Sequence, residues 1–156
     1  MSTYTIDGLK ILEVGCGLGL PSLVLQKRKA HITATDFHPS ASSFLQENAI
    51  SNKIDQVPFQ IVDWTKEDNT IGQFDLIIGS DLFYEVNSSN YLATFLDQHL
   101  NPGGKIILVN PQRSLTINFI LVMNDLGLSV EEIPFAFPTP DAHTAPTGRV
   151  LFFEKK

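Results

Sequence analysis

Apolar positions in this chain fall into short runs separated by stretches of helical length. The apolar segment Leu9 to Leu12 reads as a buried strand, and the first strand is placed at Lys10 to Val14. Leu20 to Arg28 reads as a short helix, with Pro21 in its first turn, where proline is tolerated. His31 to Asp36 is β-branched and predicts a second strand. Ser40 to Ser51 predicts a helix with Phe44, Leu45 and Ala49 on its apolar face. Val57 to Val62 and Phe74 to Gly79 predict a third and a fourth strand. Asn90 to His99 is helical in pattern, with Leu92, Phe95, Leu96 and Leu100 on one side. Asn101-Pro102-Gly103-Gly104 stops that helix and turns the chain. Lys105 to Asn110 is a fifth strand, and Ser114 to Leu126 an amphipathic helix ended by Gly127. Leu128 to Ile133 and Arg149 to Glu154 complete the series as the last two strands.

Continuous apolar strands such as Ile106-Ile107-Leu108-Val109 suit a parallel sheet covered on both faces. The alternation of strand and helix implies right-handed crossovers. Only the last two strands lack a helix between them in this reading, so they pair antiparallel. The predicted fold is α/β: a Rossmann-like, doubly wound, seven-stranded, mostly parallel sheet with an antiparallel last strand and helices on both faces. At 156 residues, a single domain over residues 1–156 is expected, without repeats or a linker. The loose, proline-rich segment Phe135 to Gly148 leaves the carboxyl end of the sixth strand, on the sheet edge where ligands bind.

The most specific local pattern follows the first strand. Glu13-Val14-Gly15-Cys16-Gly17-Leu18-Gly19 places three glycines at alternate positions between a strand and a helix N-terminus. Glycine lets the backbone turn tightly and approach a ligand closely, and the helix start adds unpaired N–H groups. The dinucleotide fingerprint spaces its glycines as G-x-G-x-x-G; here they fall as G-x-G-x-G, two positions after an acid. A carboxylate repels a pyrophosphate and attracts an ammonium group. The pattern therefore suits a cationic, nucleoside-bearing ligand better than NAD.

Ligands of an open α/β sheet bind beyond the carboxyl ends of its strands. The second strand ends at Asp36, at about the spacing that places an acid on ribose hydroxyls; a solvated capping aspartate is the plainer alternative. The third ends at Asp63-Trp64, which offers an acceptor and a ring to an adenine, or a capping acid and a core-rim tryptophan. The fourth ends at Ser80-Asp81-Leu82-Phe83-Tyr84, where Asp81 has the chemistry to hold a cationic amine and Tyr84 to line its path, or where a cap precedes core aromatics. Cys16 sits inside the glycine turn, where its small side chain fits the space.

Composition narrows the remaining classes. The apolar fraction is 43% and the charged fraction 18%, ordinary for a globular protein. With a net charge of −6 and scattered basic residues, nucleic acid and anionic membranes are poor partners. One cysteine excludes an intrachain disulfide, no signal-peptide pattern opens the chain, and no apolar run reaches the length of about 18 residues needed for a membrane span. A cytoplasmic protein is expected. The four histidines are widely spaced and no metal-ligand pattern occurs, so no metal is expected; His143 alone is kept as a possible substrate contact.

Together these residues resemble the class I, seven-β-strand S-adenosylmethionine-dependent methyltransferases. Glu13-x-Gly15-x-Gly17-x-Gly19 matches their first motif and Asp36 the acid after their second strand. Within them the chain is most similar to methyltransferase family 16, the protein-lysine methyltransferase-like group. Leu18-Gly19-Leu20-Pro21, Asp63-Trp64 and Asp81-Leu82-Phe83-Tyr84 carry that likeness. The resemblance implies S-adenosylmethionine as cofactor and S-adenosylhomocysteine as product. It implies a cofactor site from Glu13, Gly15, Cys16, Gly17, Gly19, Asp36, Phe37, Asp63, Trp64 and Ser80, with Asp81 and Tyr84 at the reacting end. It implies a protein lysine amine as acceptor. A small-molecule acceptor, an NAD-dependent oxidoreductase and a non-catalytic scaffold remain as alternatives. One departure is the front of the chain: family members carry a helical segment before the first strand, and here an unusually short segment precedes Leu9. Oligomeric state stays open.

Overall fold

The computed structural model describes residues 5–66, 70–82, 88–111, 116–136 and 147–155. The strands are β1 (Lys10–Val14), β2 (His31–Asp36), β3 (Phe59–Ile61), β4 (Phe74–Ser80), β5 (Leu100–Pro111), β6 (Leu128–Ala136) and β7 (Thr147–Lys155). The helices are α1 (Leu20–Lys27), α2 (Ser40–Ser51), α3 (Ser88–His99) and α4 (Thr116–Asp125). The strands form one sheet in the order β3-β2-β1-β4-β5-β7-β6. Strands β1 to β5 pair in parallel, and β7 runs antiparallel between β5 and β6. The predicted doubly wound sheet is therefore the observed one.

Alternation along each strand builds two cores. Leu12, Val14, Ile77, Ile106 and Leu108 point to one face, where Leu92, Phe95 and Leu96 of α3 and Phe119 and Met123 of α4 bury them. Ile11, Ile32, Ala34 and Leu76 point to the other, under Leu23 of α1 and Ala41, Leu45 and Ala49 of α2. Neighbours Ile11 and Leu12, or Leu76 and Ile77, thus serve opposite layers, as a two-residue strand period requires. On the α1 side the cover is incomplete. Ile6, Leu20, Val24, Leu25, Ile78 and Ile107 line an apolar cleft of about 520 Å³, with Leu20 and Val24 exposed.

Three expectations are corrected. Strand β3 covers only Phe59–Ile61 rather than Val57 to Val62, because it is an edge strand that pairs with β2 alone. Between β3 and β4, where the alternating pattern leads one to expect a helix, none occurs among the described residues. In the sheet β4 lies beside β1, separated from β3 by β2 and β1. Asn101 to Gly104 turns the chain inside β5 instead of ahead of it. The register jumps from Phe74↔Leu100 to Leu76↔Lys105, and the extra residues form a bulge held by Asn101 Nδ2 donating to Asp75 Oδ1 at 2.7 Å.

The topology places the site. From β1 the chain winds outward to β2 and β3, then returns to β4 on the other side of β1. Helix α1 leaves β1 toward one face and α3 follows β4 on the other. The carboxyl ends of β1 and β4 therefore open a crevice between diverging connections. Their backbones approach closely because Gly79 carries no side chain: a Cβ there would lie 2.9 Å from Val14 Cγ2 and 3.2 Å from the Val14 carbonyl oxygen. Gly79→Ala is expected to destabilise the fold by about 1–3 kcal/mol in urea unfolding. An unchanged midpoint would contradict this packing.

Candidate active site

The glycine turn after β1 meets two demands at once. Gly15, Gly17 and Gly19 have φ of +62°, +52° and +73°, in the left-handed region that favours glycine. At Gly15 a Cβ would come 2.5 Å from Leu82 Cδ2, and at Gly19 2.2 Å from Leu45 Cδ1. Those two glycines let the turn pack against the protein. Among the described residues, a Cβ on Gly17 would meet nothing within 4 Å. The middle of the turn thus faces open space, where a ligand can lie against bare backbone.

Asp36 ties this turn to the end of β2. Its Oδ2 accepts the Gly17 N–H at 2.9 Å and its Oδ1 accepts the His38 N–H at 2.9 Å. Each carboxylate oxygen has a second acceptor site, so the half-buried group retains capacity for two hydroxyls. The Cys16 N–H donates to the Thr35 carbonyl at 2.9 Å, a second tie between the same segments. Phe37 is exposed, edge-on to the His38 ring. Burial and the negative charges of Glu13 and Asp36 push the Cys16 thiol up to about 12, so it stays neutral and serves as filling.

The ends of β3 and β4 close on the same turn. Trp64 is half-buried, packs on the α3 core beside Phe95, and reaches within 3.9 Å of the Cβ position of Gly15. Asp63 accepts from the Thr65 hydroxyl at 2.6 Å and the Thr65 N–H at 3.1 Å, and these bonds hold its carboxyl below the usual range. Leu82 is buried against both Gly15 and Gly79. Asp81 has φ of +54°, and its N–H donates to the Val109 carbonyl at 2.9 Å. A left-handed residue at a strand end re-aims its side chain, and aspartate tolerates that conformation better than most residues. Ser80 is exposed beside it. Tyr84 and His143 lie outside the described residues.

Glu13 is buried, 3% exposed, with its carboxylate turned to the first turn of α1. Its Oε2 accepts both the N–H of Ser22, at 3.0 Å, and the Ser22 hydroxyl. One of the unpaired N–H groups at the start of α1 is satisfied in this way. Thr35 Oγ1 donates to the Glu13 carbonyl at 2.8 Å. Ser22, Thr35 and Leu82 are the residues that sequence reasoning passed over. For Ser22 the available signal is its place in the first turn of a predicted helix that follows an acid-bearing strand.

Burial raises the Glu13 carboxyl from 4.5 to about 7, against the lowering effect of the Ser22 bonds. Its folded-state value lies above its unfolded one, so the folded protein keeps a proton that the unfolded chain releases. Stability without ligand therefore falls as pH rises from 4.5 to about 7, by as much as about 3 kcal/mol from this group. Glu13→Gln, whose carbonyl still accepts from Ser22, removes that component. The stability of the variant relative to wild type should grow between pH 5 and pH 8 in denaturant titrations; parallel curves would contradict the assignment.

Comparison with known proteins follows this geometry. A family model described as lysine methyltransferase matches residues 1–124. A histidine protein methyltransferase 1 homolog of Dictyostelium discoideum is 30% identical over 110 residues, which cover 67% of this chain and 36% of that protein. A phosphoethanolamine N-methyltransferase of Arabidopsis thaliana is 30% identical over 108 residues, 69% of this chain and 22% of that one. The chain thus spans only about a fifth to a third of these two relatives. A methyltransferase structure from Pyrococcus furiosus superposes with a TM-score of 0.75 at 26% identity, covering 95% of this chain and 75% of its own.

Proposed function

This chain belongs to the lysine methyltransferase family, and from that premise we propose that it transfers a methyl group from S-adenosylmethionine to a nitrogen nucleophile, a lysine amine of a protein. The observation that carries the proposal is the glycine turn, open over Gly17 and latched to Asp36. The cofactor fits the groups present. Bare backbone at Gly17 leaves room for a bulky ligand, and the free acceptor sites of Asp36 suit a ribose diol. Acidic groups, Glu13, Asp36, Asp63 and Asp81, crowd one edge of the sheet, which favours a ligand carrying ammonium and sulfonium charges.

In this reading each strand end has its own task. Gly15, Gly17 and Gly19, with Cys16 between them, form the floor. Asp36 and Phe37 take the ribose and its flank, and Asp63 and Trp64 the adenine, with Ser80 near the reacting end. S-adenosylmethionine, when bound, supplies a methyl on a good leaving group, so the protein's work is alignment more than acid–base chemistry. Asp81 accepts an N–H of the incoming amine and orients its lone pair, and Tyr84 shapes the approach. The amine loses its proton to water before attack.

Similarity to a histidine protein methyltransferase homolog supports a protein acceptor and makes an imidazole nitrogen the second choice. Similarity to a phosphoethanolamine N-methyltransferase favours a small amine as the alternative. Labelled methyl transfer into lysate proteins, followed by hydrolysis and amino-acid analysis, separates these acceptors. Methyl-lysine is the expected product. Asp81→Asn keeps a residue that tolerates positive φ, and should lower turnover on the order of 10²-fold with cofactor affinity nearly unchanged. Equal loss of both would contradict the role of Asp81, and cofactor binding without any transfer would indicate a scaffold.

A further inference from the structure

We propose that Ser22 is a positioning residue for the cofactor site: it holds the Glu13 carboxylate beneath the glycine turn, and the charge held there is part of what binds a cationic ligand. This rests on the cofactor reading above and adds a residue and a mode of control to it.

The geometry leaves little freedom at this pair. Glu13 is 3% exposed and Ser22 is fully buried. Both Ser22 donors, backbone N–H and hydroxyl, converge on the same oxygen, Oε2. The Glu13 backbone is paired on both sides, to Ala34 in β2 and Ile78 in β4, and its carbonyl takes the Thr35 hydroxyl. The turn 15–19 lies between Glu13 and the helix that bears Ser22. The pair therefore clamps the strand end to the helix start and fixes the span that the glycines must cross.

The charge has an electrostatic consequence. Among the described residues no lysine, arginine or histidine pairs with Glu13. The charged group acting on it from a neighbouring element is Asp36 of β2, which repels it, and Cys16 in the turn is a neutral thiol. On α1 its partner is the neutral Ser22, and on β4 its register partner is the apolar Ile78. A buried carboxylate without a cation is costly to ionise. A cation arriving in the crevice above lowers that cost. Protonation of Glu13 and binding of a cation then oppose each other, and the Ser22 hydroxyl biases the balance toward the charged form.

The test is titration of S-adenosylhomocysteine, whose amine is cationic near neutrality, into the intact protein between pH 5.5 and 8.5. Wild-type affinity is expected to weaken about tenfold from pH 8 to pH 6, with a midpoint near 7. Ser22→Ala should move that midpoint up by about one pH unit, since a hydrogen bond to the ionised form is lost. His38→Gln, which removes the titratable ring next to Asp36, should leave it in place. A flat wild-type profile overturns the proposal. So does a Ser22→Ala variant that binds more weakly by the same factor at every pH, which is what a purely structural role produces. Should Ser22→Ala fail to fold, Glu13→Gln replaces it: a flat profile supports the proposal and a retained midpoint overturns it. Absence of wild-type binding at every pH would instead contradict the cofactor reading, and this inference with it.

Discussion

One hydrogen bond joins the parts of this molecule that must act together: the Gly17 N–H to Asp36, across the gap between β1 and β2. It exists only because the turn after β1 is both packed and bare. Gly15 and Gly19 let Leu82 and Leu45 press against it, while the backbone at Gly17 stays open. Side chains at the first two positions would collide with those leucines and strain a backbone held at positive φ. One at the third would fill the space a ligand needs. The tight sheet at Gly79, the burial of Leu82 and the reach of Trp64 all converge on the same turn. The crevice is thus a product of packing on both sides of the sheet.

Electrostatics gives that crevice its sign. Carboxylates at the ends of four strands lie along one edge, and the buried one, Glu13, is raised toward neutrality by its surroundings. A pyrophosphate would meet repulsion here; an amine or sulfonium would meet attraction. This is the physical ground for preferring S-adenosylmethionine over a dinucleotide. It also explains why the turn is supported by Ser22 from below, since an acid so placed needs donors to remain charged.

Much of this was legible in the residues. The succession of strands and helices and the two-faced cover follow from apolar runs alternating with helical stretches, and the glycine turn from Gly15, Gly17 and Gly19. Short-range patterns report short-range structure well. What escaped depended on partners distant in the chain. The direction of the Glu13 side chain is set by Ser22, and no pattern of alternation reveals which donor a buried acid will find. The truncation of β3 reflects its place at the sheet edge, and the bulge at Asn101 to Gly104 depends on Asp75 in a neighbouring strand.

The central claim is that the open glycine turn binds S-adenosylmethionine. The most direct measurement is isothermal titration of the protein with S-adenosylmethionine and with S-adenosylhomocysteine at pH 8, with NAD as the control. Binding of the first two in the micromolar range, abolished by Asp36→Ala, with no heat from NAD, is the predicted result. No binding of either, or equal binding of NAD, would contradict it.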